Sequence, residues 1–138
     1  MSKYKTACAL ILNDKGEILL TKRGREPFKG YWALISGIGE SIKGIPPEVG
    51  VVEEVRCDLG TSSFKGKLLF RLPIEGDEMT DETYVFEGKI NENEIKLDPV
   101  YSAGYKWVPT SKIAEFENLA FEHSSIVKKF LEESQNKR

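Results

Sequence analysis

Two acidic residues, Glu54 and Asp58, stand four positions apart in a stretch that predicts a helix, with Cys57 beside them in the sequence. Residues spaced by three or four positions face the same side of a helix, about one turn apart. Two carboxylates placed in this way can hold a hard divalent cation such as Mg²⁺, which prefers oxygen ligands and keeps several waters. The alternative interpretation is an ordinary solvent-facing helix surface, on which paired acids are common.

Glycines precede this acidic helix at Gly37, Gly39 and Gly44. Glycine permits positive φ and a close approach of the backbone to a ligand, and a helix N-terminus offers unpaired N–H groups to a phosphate. The segment therefore predicts a phosphate-binding loop followed by a helix, although many glycine-rich turns are only turns. An upstream basic run that includes Arg23 and Lys29 could meet a phosphate or could be a solvated loop.

The elements around these residues predict a mixed α/β fold. The acidic helix begins near Pro47, because proline is tolerated in the first helical turn, and it ends at Gly60, which can adopt the left-handed conformation. The first two strand candidates flank a turn at 13–16 and predict a hairpin. A short helix is expected at 112–116, a C-terminal helix has an apolar stripe that starts at Phe121, and 134–138 predict a frayed tail. The strand candidates are 6–12, 17–22, 31–35, 64–74, 82–90 and 103–108.

Length and charge limit the classes of function. A chain of 138 residues fits one domain, which we expect to span residues 1–138. The net charge of -2 argues against general binding of nucleic-acid polymers, since that affinity comes from clustered Lys and Arg. The two cysteines, Cys8 and Cys57, do not predict a disulfide framework, and the short apolar run near the N-terminus predicts neither export nor a membrane span. A cytoplasmic location is therefore expected.

Residues 39–60 and their neighbour Thr61 resemble the Nudix box, whose pattern is G-x5-E-x7-R-E-U-x-E-E-x-G-U, with U an aliphatic residue. Gly39, Glu54, Val55 and Gly60 match the pattern, and Gly44 matches a glycine that is common within it. The departures are Ile45 for the first Glu, Glu53 for Arg, Cys57 and Asp58 for the Glu-Glu pair, and Thr61 for the last aliphatic residue. Segments 18–23, 27–34 and 105–109 also resemble family members, and 119–123 resembles branches that act on ADP-ribose and related nucleotides.

This resemblance implies a Nudix-like α/β/α sandwich, with a mixed sheet flanked by helices. It also implies hydrolysis of a nucleoside diphosphate linked to another moiety, such as ADP-ribose, with Mg²⁺ or Mn²⁺ as the cofactor. The predicted catalytic residues are Glu54 and Asp58, and the predicted metal ligands are these two and Glu53. The residues expected to bind phosphate or substrate are Gly37, Gly39, Gly44, Arg23, Lys29, Phe28 and Trp32.

A further acid often comes from a later loop in this family. An acidic cluster here leaves the choice open and includes Glu78 and Glu82 as possible additional acids; its members are Glu75, Asp77, Glu78, Asp81 and Glu82. His123, the only histidine, could act as an acid or base or could cap or pack a helix. The altered box predicts weakened hydrolysis, and the alternative is a non-catalytic nucleotide-binding or sensing module of the same fold. The expected partner is a small nucleotide-type substrate, and a homodimer is left open.

Overall fold

The computed structural model describes residues 3–116 and 119–136. Within them, strands and helices follow the chain in an order typical of a mixed α/β domain. The strands are β1 (Tyr4–Ile11), β2 (Glu17–Arg23), β3 (Trp32–Ala33), β4 (Ile35–Gly37), β5 (Lys65–Pro73), β6 (Thr80–Lys89) and β7 (Ser102–Pro109). The helices are α1 (Gly39–Ile42), α2 (Pro47–Leu59), α3 (Thr110–Ile113) and α4 (His123–Asn136), with a 3₁₀ turn at Glu92–Glu94.

The strands form two sheets. One has the order β4-β1-β6-β5, in which β1 and β6 run parallel and the other pairs run antiparallel. The second is an antiparallel sheet with the order β3-β2-β7. One apolar core packs Val51, Val55 and Leu59 of α2 with β1, and the other packs the apolar side of α4 with β1 and β2. This arrangement confirms the predicted fold class, a mixed sheet flanked by helices.

The predicted hairpin between β1 and β2 is wrong. The turn is present, but the two strands lie in different sheets and are joined only by an isolated bridge between Leu12 and Ile18. β1 already pairs with β4 on one edge and β6 on the other, so it offers no free edge to β2. The chain therefore crosses to the second sheet, where β2 pairs with β3 and β7.

The strand predicted at 31–35 is divided at Leu34 into β3 and β4, one in each sheet. The Leu34 N–H donates a hydrogen bond to Nδ1 of His123, at 3.1 Å. A histidine at the start of α4 thus accepts the hydrogen bond of the Leu34 backbone N–H, where the chain passes from one sheet to the other. Satisfying buried backbone donors is a general requirement of folded chains.

The predicted acidic helix is confirmed as α2. Gly60 follows it with a φ of 75°, and its N–H donates to the Arg56 carbonyl at 2.8 Å. The predicted frayed tail is wrong for residues 134–136, which continue α4, and residues 137–138 lie outside the described residues. The predicted start of the apolar stripe is also wrong for Phe121, which precedes α4 and is exposed.

Both thiols are free: Cys8 is buried in β1, and Cys57 is half-buried in α2. No helix among the described residues has both the length and the apolar character needed to span a membrane.

Candidate functional site

A cavity of about 610 Å³ opens beside the C-terminal end of β4 and the acidic side of α2. Its wall comes from distant parts of the chain, including β1, the β2–β3 loop, α1, α2, the β5–β6 loop and the start of α4. The polar and charged side chains that line it are Thr6, Arg23, Arg25, Ser36, Glu40, Glu54, Cys57, Asp77, Thr80, Thr83, Tyr101, Glu122 and His123. The cavity therefore joins both signs of charge in a volume that suits a small-molecule ligand.

Of the four acidic residues that line the cavity, Glu54 and Glu40 come from the two packed helices α2 and α1 and form one acidic wall. Glu54 lies against the backbone of Gly37, where an added Cβ would be 2.6 Å from Oε1 of Glu54. α1 packs closely on α2 at Gly50, where an added Cβ would be 3.0 Å from Cβ of Glu40. Two glycines thus let the backbone approach closely enough to bring both acids into one wall.

The charges of these acids interact. Burial raises the pKa of Glu54, and the nearby Glu40 carboxylate raises it further, while Arg25 opposes both effects. Lys43 Nζ donates to Oε1 of Glu40 at 3.3 Å, so Glu40 is partly neutralised. A carboxylate whose ionised form is disfavoured by burial and by a like charge gains from a bound cation.

Asp58 lies one turn from Glu54 and is half-buried, and it does not line the cavity directly. Burial raises the pKa of Asp58 to about 7, Glu54 adds to the increase, and Arg25 and Arg23 oppose it. Its carboxyl group is therefore close to half-protonated at neutral pH, and a bound cation would favour its charged form.

Two arginines, Arg23 and Arg25, form the basic part of the wall. Each guanidinium is held on an aromatic ring at 4.7 Å from the ring centroid, Arg23 on Phe121 and Arg25 on Tyr101. Arg23 Nε also donates to the Pro27 carbonyl at 2.7 Å, and burial lowers the pKa of Arg23. Stacked guanidiniums keep free donors for planar recognition of phosphate or carboxylate.

Gly24 lies between these arginines and fixes the loop that carries them. Its N–H donates to the Tyr101 carbonyl at 3.1 Å, and an added Cβ would overlap the Pro99 carbonyl. The loop before β7 thus packs directly on the backbone of the basic segment. This contact brings Tyr101 under Arg25.

His123 is buried and lines the cavity. Its Nδ1 accepts from the Leu34 N–H, so the neutral ring carries its proton on Nε2, which donates to Ser36 Oγ at 3.0 Å. Burial lowers the pKa of His123 to about 3, and Arg23 contributes to the decrease. Of the roles predicted for it, this geometry favours packing, because the ring stays neutral at physiological pH and orients the Ser36 hydroxyl.

The structure brings part of the predicted site together. Glu54, Gly37, Gly39 and Arg23 line the cavity, and Asp58 lies next to Glu54. Phe28 does not line the cavity, but its ring contacts Phe121, which does, with centroids 4.9 Å apart. The functional roles of all these residues remain predictions.

Other predicted residues lie away from the cavity. Glu53 is exposed and pairs with Arg56 one helical turn along α2. Gly44 adopts a φ of 83° in the turn after α1, with no neighbour within 4 Å of an added Cβ. Lys29 is exposed, and Trp32 packs against a core with Lys106 Nζ 4.2 Å from its ring centroid.

The two residues predicted as an additional acid, Glu78 and Glu82, do not line the cavity. Glu78 is exposed in the β5–β6 loop. Glu82 on β6 forms a bidentate pair with Arg71 at 2.7 and 2.8 Å and lies 3.7 Å from Lys5 Nζ. Asp77 does line the cavity, but its Oδ1 accepts from the N–H groups of Met79 and Thr80 and so fixes the loop.

Several cavity residues were missed as candidates: Glu40, Arg25, Tyr101 and Phe121. A signal existed for Glu40, an acid directly after Gly39 in a predicted phosphate loop, and for Arg25 in the basic run. Tyr101 and Phe121 carry no local signal, because their place depends on packing between segments far apart in the chain.

No group of three or more His, Cys, Asp or Glu side chains among residues 3–116 and 119–136 is arranged to hold a metal by itself. The donor set still fits Mg²⁺, because that ion is commonly bound by one or two carboxylates and completed by waters and substrate phosphates. Glu40 and Glu54 provide such a pair, with mutual repulsion that raises the pKa of Glu54.

A model of the NUDIX domain matches residues 3–130 of the chain. Solved structures with the same fold include a MutT protein from Methanosarcina mazei Go1, which is 25% identical with a TM-score of 0.75 and covers 100% of this chain and 99% of that chain. The NUDIX domain of Shewanella oneidensis NrtR, in complex with ADP ribose, is 18% identical with a TM-score of 0.74. The match covers 96% of this chain and 89% of that chain. The MutT NUDIX hydrolase from Burkholderia pseudomallei is 22% identical with a TM-score of 0.72, and the match covers 93% of this chain and 98% of that chain. No curated protein matches the chain in sequence.

Proposed function

Since the chain belongs to the NUDIX domain family, we propose that it hydrolyses a small nucleoside diphosphate linked to another moiety, with Mg²⁺ or Mn²⁺ as the cofactor. The observation that carries the proposal is the juxtaposition of Glu40 and Glu54 with Arg23 and Arg25 in one cavity. A metal-bound diphosphate needs both: carboxylates for the cation, and fixed positive groups for the phosphate oxygens.

Glu54 and Glu40 would hold the ion, with Asp58 as the next oxygen donor. When bound, the ion would neutralise phosphate charge and lower the pKa of a bound water. Glu54 is confined by Gly37, and this contact limits where its carboxylate can point. The half-buried Asp58, with a pKa of about 7, can accept a proton near neutral pH.

The remaining residues bind and orient the substrate. Arg23 and Arg25 would bind the two phosphates, and stacking on Phe121 and Tyr101 restricts their motion before the ligand arrives. Ser36 Oγ accepts a hydrogen bond from the Nε2–H of His123, which leaves the hydroxyl proton of Ser36 free to donate into the cavity. Arranging such groups in advance lowers the entropic cost of reaching the reactive geometry.

The second candidate function is a binding or sensing module that retains the pocket without efficient hydrolysis. Cys57, a weak ligand for Mg²⁺, lines the cavity where the family pattern has a carboxylate. Glu53 is paired with Arg56 rather than turned toward the other acids. The cytoplasmic location and a homodimer remain predictions.

The two functions are separated by assaying product release from ADP-ribose, dinucleotides and nucleoside triphosphates with Mg²⁺ or Mn²⁺. We expect Glu54→Gln to reduce kcat by about 100-fold or more, since small changes at a catalytic group have effects of this size. Glu48→Gln is the matched control, because Glu48 is an exposed acid on the same helix. Nucleotide binding by calorimetry without turnover by the wild type would favour the binding module. Equal turnover by wild type and Glu54→Gln would contradict the proposed role of Glu54.

A further inference from the structure

The strand β5 forms one edge of the sheet with the order β4-β1-β6-β5. Among residues 3–116 and 119–136, no strand pairs with its outer side. The first four residues of β5 are all exposed, whereas those of β7, an edge strand of the other sheet, are mostly half-buried. An open edge presents unpaired backbone N–H and C=O groups, which can bind a further strand.

A hydrogen bond just after β5 shows which residues of its second half face this open edge. The Ile74 N–H donates to the Asp81 carbonyl at 2.8 Å, so the backbone at position 74 faces β6. Successive residues of an antiparallel strand direct their N–H and C=O groups to opposite edges. Pro73 and Arg71 therefore face the open edge, and the missing N–H of Pro73 costs the sheet no hydrogen bond.

A second hydrogen bond gives the orientation of the first half of β5. The Gly88 carbonyl of β6 accepts from the N–H of Leu12, which follows β1, so Gly88 faces away from β5. Gly66 lies opposite Gly88 in the register of the two strands and therefore faces the open edge, as does Leu68 two residues later. The residues of β5 that face outward are thus Gly66, Leu68, Arg71 and Pro73.

These outward-facing residues match each other when two copies of β5 run antiparallel. Leu68 of one copy then lies opposite Arg71 of the other, and Gly66 lies opposite Pro73, around a twofold axis next to Leu69. Leu69 is the extra residue where the register with β6 shifts, and the extra residues of the two copies face each other, so the pairing stays in register. Each Leu68–Arg71 pair can exchange two main-chain hydrogen bonds, and each Gly66–Pro73 pair one.

The side chains agree with this register. Leu69 and Phe70 pack on the core that contains the apolar side of α4, so Leu68 and Arg71 point to the α2 side of the sheet. The Arg71 guanidinium lies 4.7 Å from the ring centroid of Tyr84, which packs on the core beside α2. Leu68 is 47% exposed. In the antiparallel pair, the arginine stem and tyrosine ring of the second copy would cover it.

The charges favour the antiparallel orientation. Lys65 and Lys67 lie in the first half of β5, and the loop after the strand carries acids at Glu75, Asp77 and Glu78. Antiparallel pairing places the lysines of each copy beside the acidic loop of the other, with Lys65 next to Glu75. Parallel pairing would place lysines beside lysines, and like charges opposite each other are destabilising.

We propose that β5 binds a second copy of this chain by antiparallel strand pairing, which joins the two four-stranded sheets into one continuous sheet. The partner is a second copy rather than a foreign peptide, because one strand supplies both halves of the register and both signs of charge. The inference is independent of the proposed function, since no residue of β5, which the structure describes in full, lines the cavity.

Sedimentation equilibrium of the wild type tests the dimer, over roughly 10 µM to 1 mM protein because the interface is small. Leu68→Lys is the main variant, and we expect it to weaken dimerisation by about 10-fold or more, since it places a lysine opposite Arg71 on both sides of the axis. Val49→Lys is the matched control, because Val49 is a similarly exposed residue, at 56%, and lies on α2. It should leave the dissociation constant unchanged.

Charge reversal tests the orientation. Lys65→Glu and Glu75→Lys should each weaken the dimer by about 2- to 10-fold at low salt, and the double variant should restore it. Both side chains are exposed, so circular dichroism should show the same fold in all three variants.

Amide hydrogen exchange followed by NMR locates the interface. The N–H groups of Gly66, Leu68 and Arg71 should exchange more slowly at protein concentrations where the dimer forms, because the second copy accepts their hydrogen bonds. The N–H of Ile74, which is already bonded to Asp81, should not change.

A wild type that stays monomeric over the whole concentration range would overturn the proposal. A dimer that Leu68→Lys leaves intact, or one in which the three outward N–H groups exchange as fast as in the monomer, would overturn it too. Weakening by both charge reversals without recovery in the double variant would overturn the antiparallel orientation. The hydrolysis assay is separate from all of these measurements, so the proposed function stands or fails independently.

Discussion

At the scale of single residues, the Glu54 carboxylate depends on a glycine that faces it. An added Cβ at Gly37 would lie 2.6 Å from Oε1 of Glu54, which is closer than real Cβ atoms approach. The backbone of Gly37 does not have positive φ, so alanine is allowed there by local geometry. The effect of alanine at this position should therefore come from its contact with the carboxylate.

Because the Glu54 carboxylate is the end of a flexible side chain, we expect Gly37→Ala to push it aside at a cost of about 0.5–1.5 kcal/mol, that of an unfavourable rotamer, and to weaken the response of the protein to Mg²⁺. Thermal unfolding with and without Mg²⁺ measures both effects. Gly104→Ala is the control, since an added Cβ there has no neighbour within 4 Å. In a Glu54→Ala background the cost of Gly37→Ala should largely disappear. An unchanged cost in that background would show that the contact with Glu54 is not the cause.

The residue types in the sequence identified some residues of this site but not all of them. Glu54 and Gly37 stand in a recognisable pattern of acids and glycines, and the structure brings them into contact. Phe121 was assigned to the apolar stripe of the C-terminal helix, together with Ile126 and Val127. Its actual role in the cavity wall follows from the buried contacts of Ala120 and His123, which local spacing does not encode.

At the scale of elements, α2 was predictable because its ends are marked by residues with strong conformational preferences. Proline suits its first turn, and Gly60 ends it with a φ of 75°. The pairing of β1 and β2 was not predictable in the same way, because the turn between them says nothing about which edges are already occupied. Strand pairing is set by contacts between distant segments, as with β1 and β6 here.

The end of α2 provides a test at this scale. We expect Gly60→Ala to cost clearly more than about 1 kcal/mol, because an added Cβ would overlap the Lys96 carbonyl in addition to the cost of positive φ. Gly16→Ala isolates the cost of φ alone, since Gly16 has a φ of 74° and no neighbour near an added Cβ. Denaturant unfolding measures both variants. Equal losses would show that the contact with Lys96 contributes nothing to stability.

At the scale of the whole molecule, the pKa shifts of Asp58 and His123 have opposite effects on how stability depends on pH. The pKa of Asp58 is raised from 3.8 to about 7. At a pH between these two values, the folded state keeps a proton on Asp58 that the unfolded state has lost. Stability from this group therefore falls as pH rises from about 4 to 7. The pKa of His123 is lowered from 6.5 to about 3, so stability from it rises with pH across nearly the same range.

Each shift corresponds to at most about 4–5 kcal/mol, since one pKa unit is about 1.4 kcal/mol. The two contributions oppose each other, so we expect the stability of the wild type to depend less steeply on pH between about pH 4 and 6.5 than it would with either group alone. Asp58→Asn should retain only the His123 contribution, so that its stability rises with pH through this range. His123→Asn should retain only the Asp58 contribution, so that its stability falls with pH.

Urea unfolding of the wild type and the two variants at several pH values measures these slopes. Asparagine at position 123 can still accept from the Leu34 N–H, which limits the cost of the substitution to the lost Ser36 contact and packing. Parallel pH profiles in all three proteins would contradict both shifts. Adding Mg²⁺ at pH 8 should stabilise the wild type more than Asp58→Asn, because a bound cation compensates the buried charge that only the wild type carries.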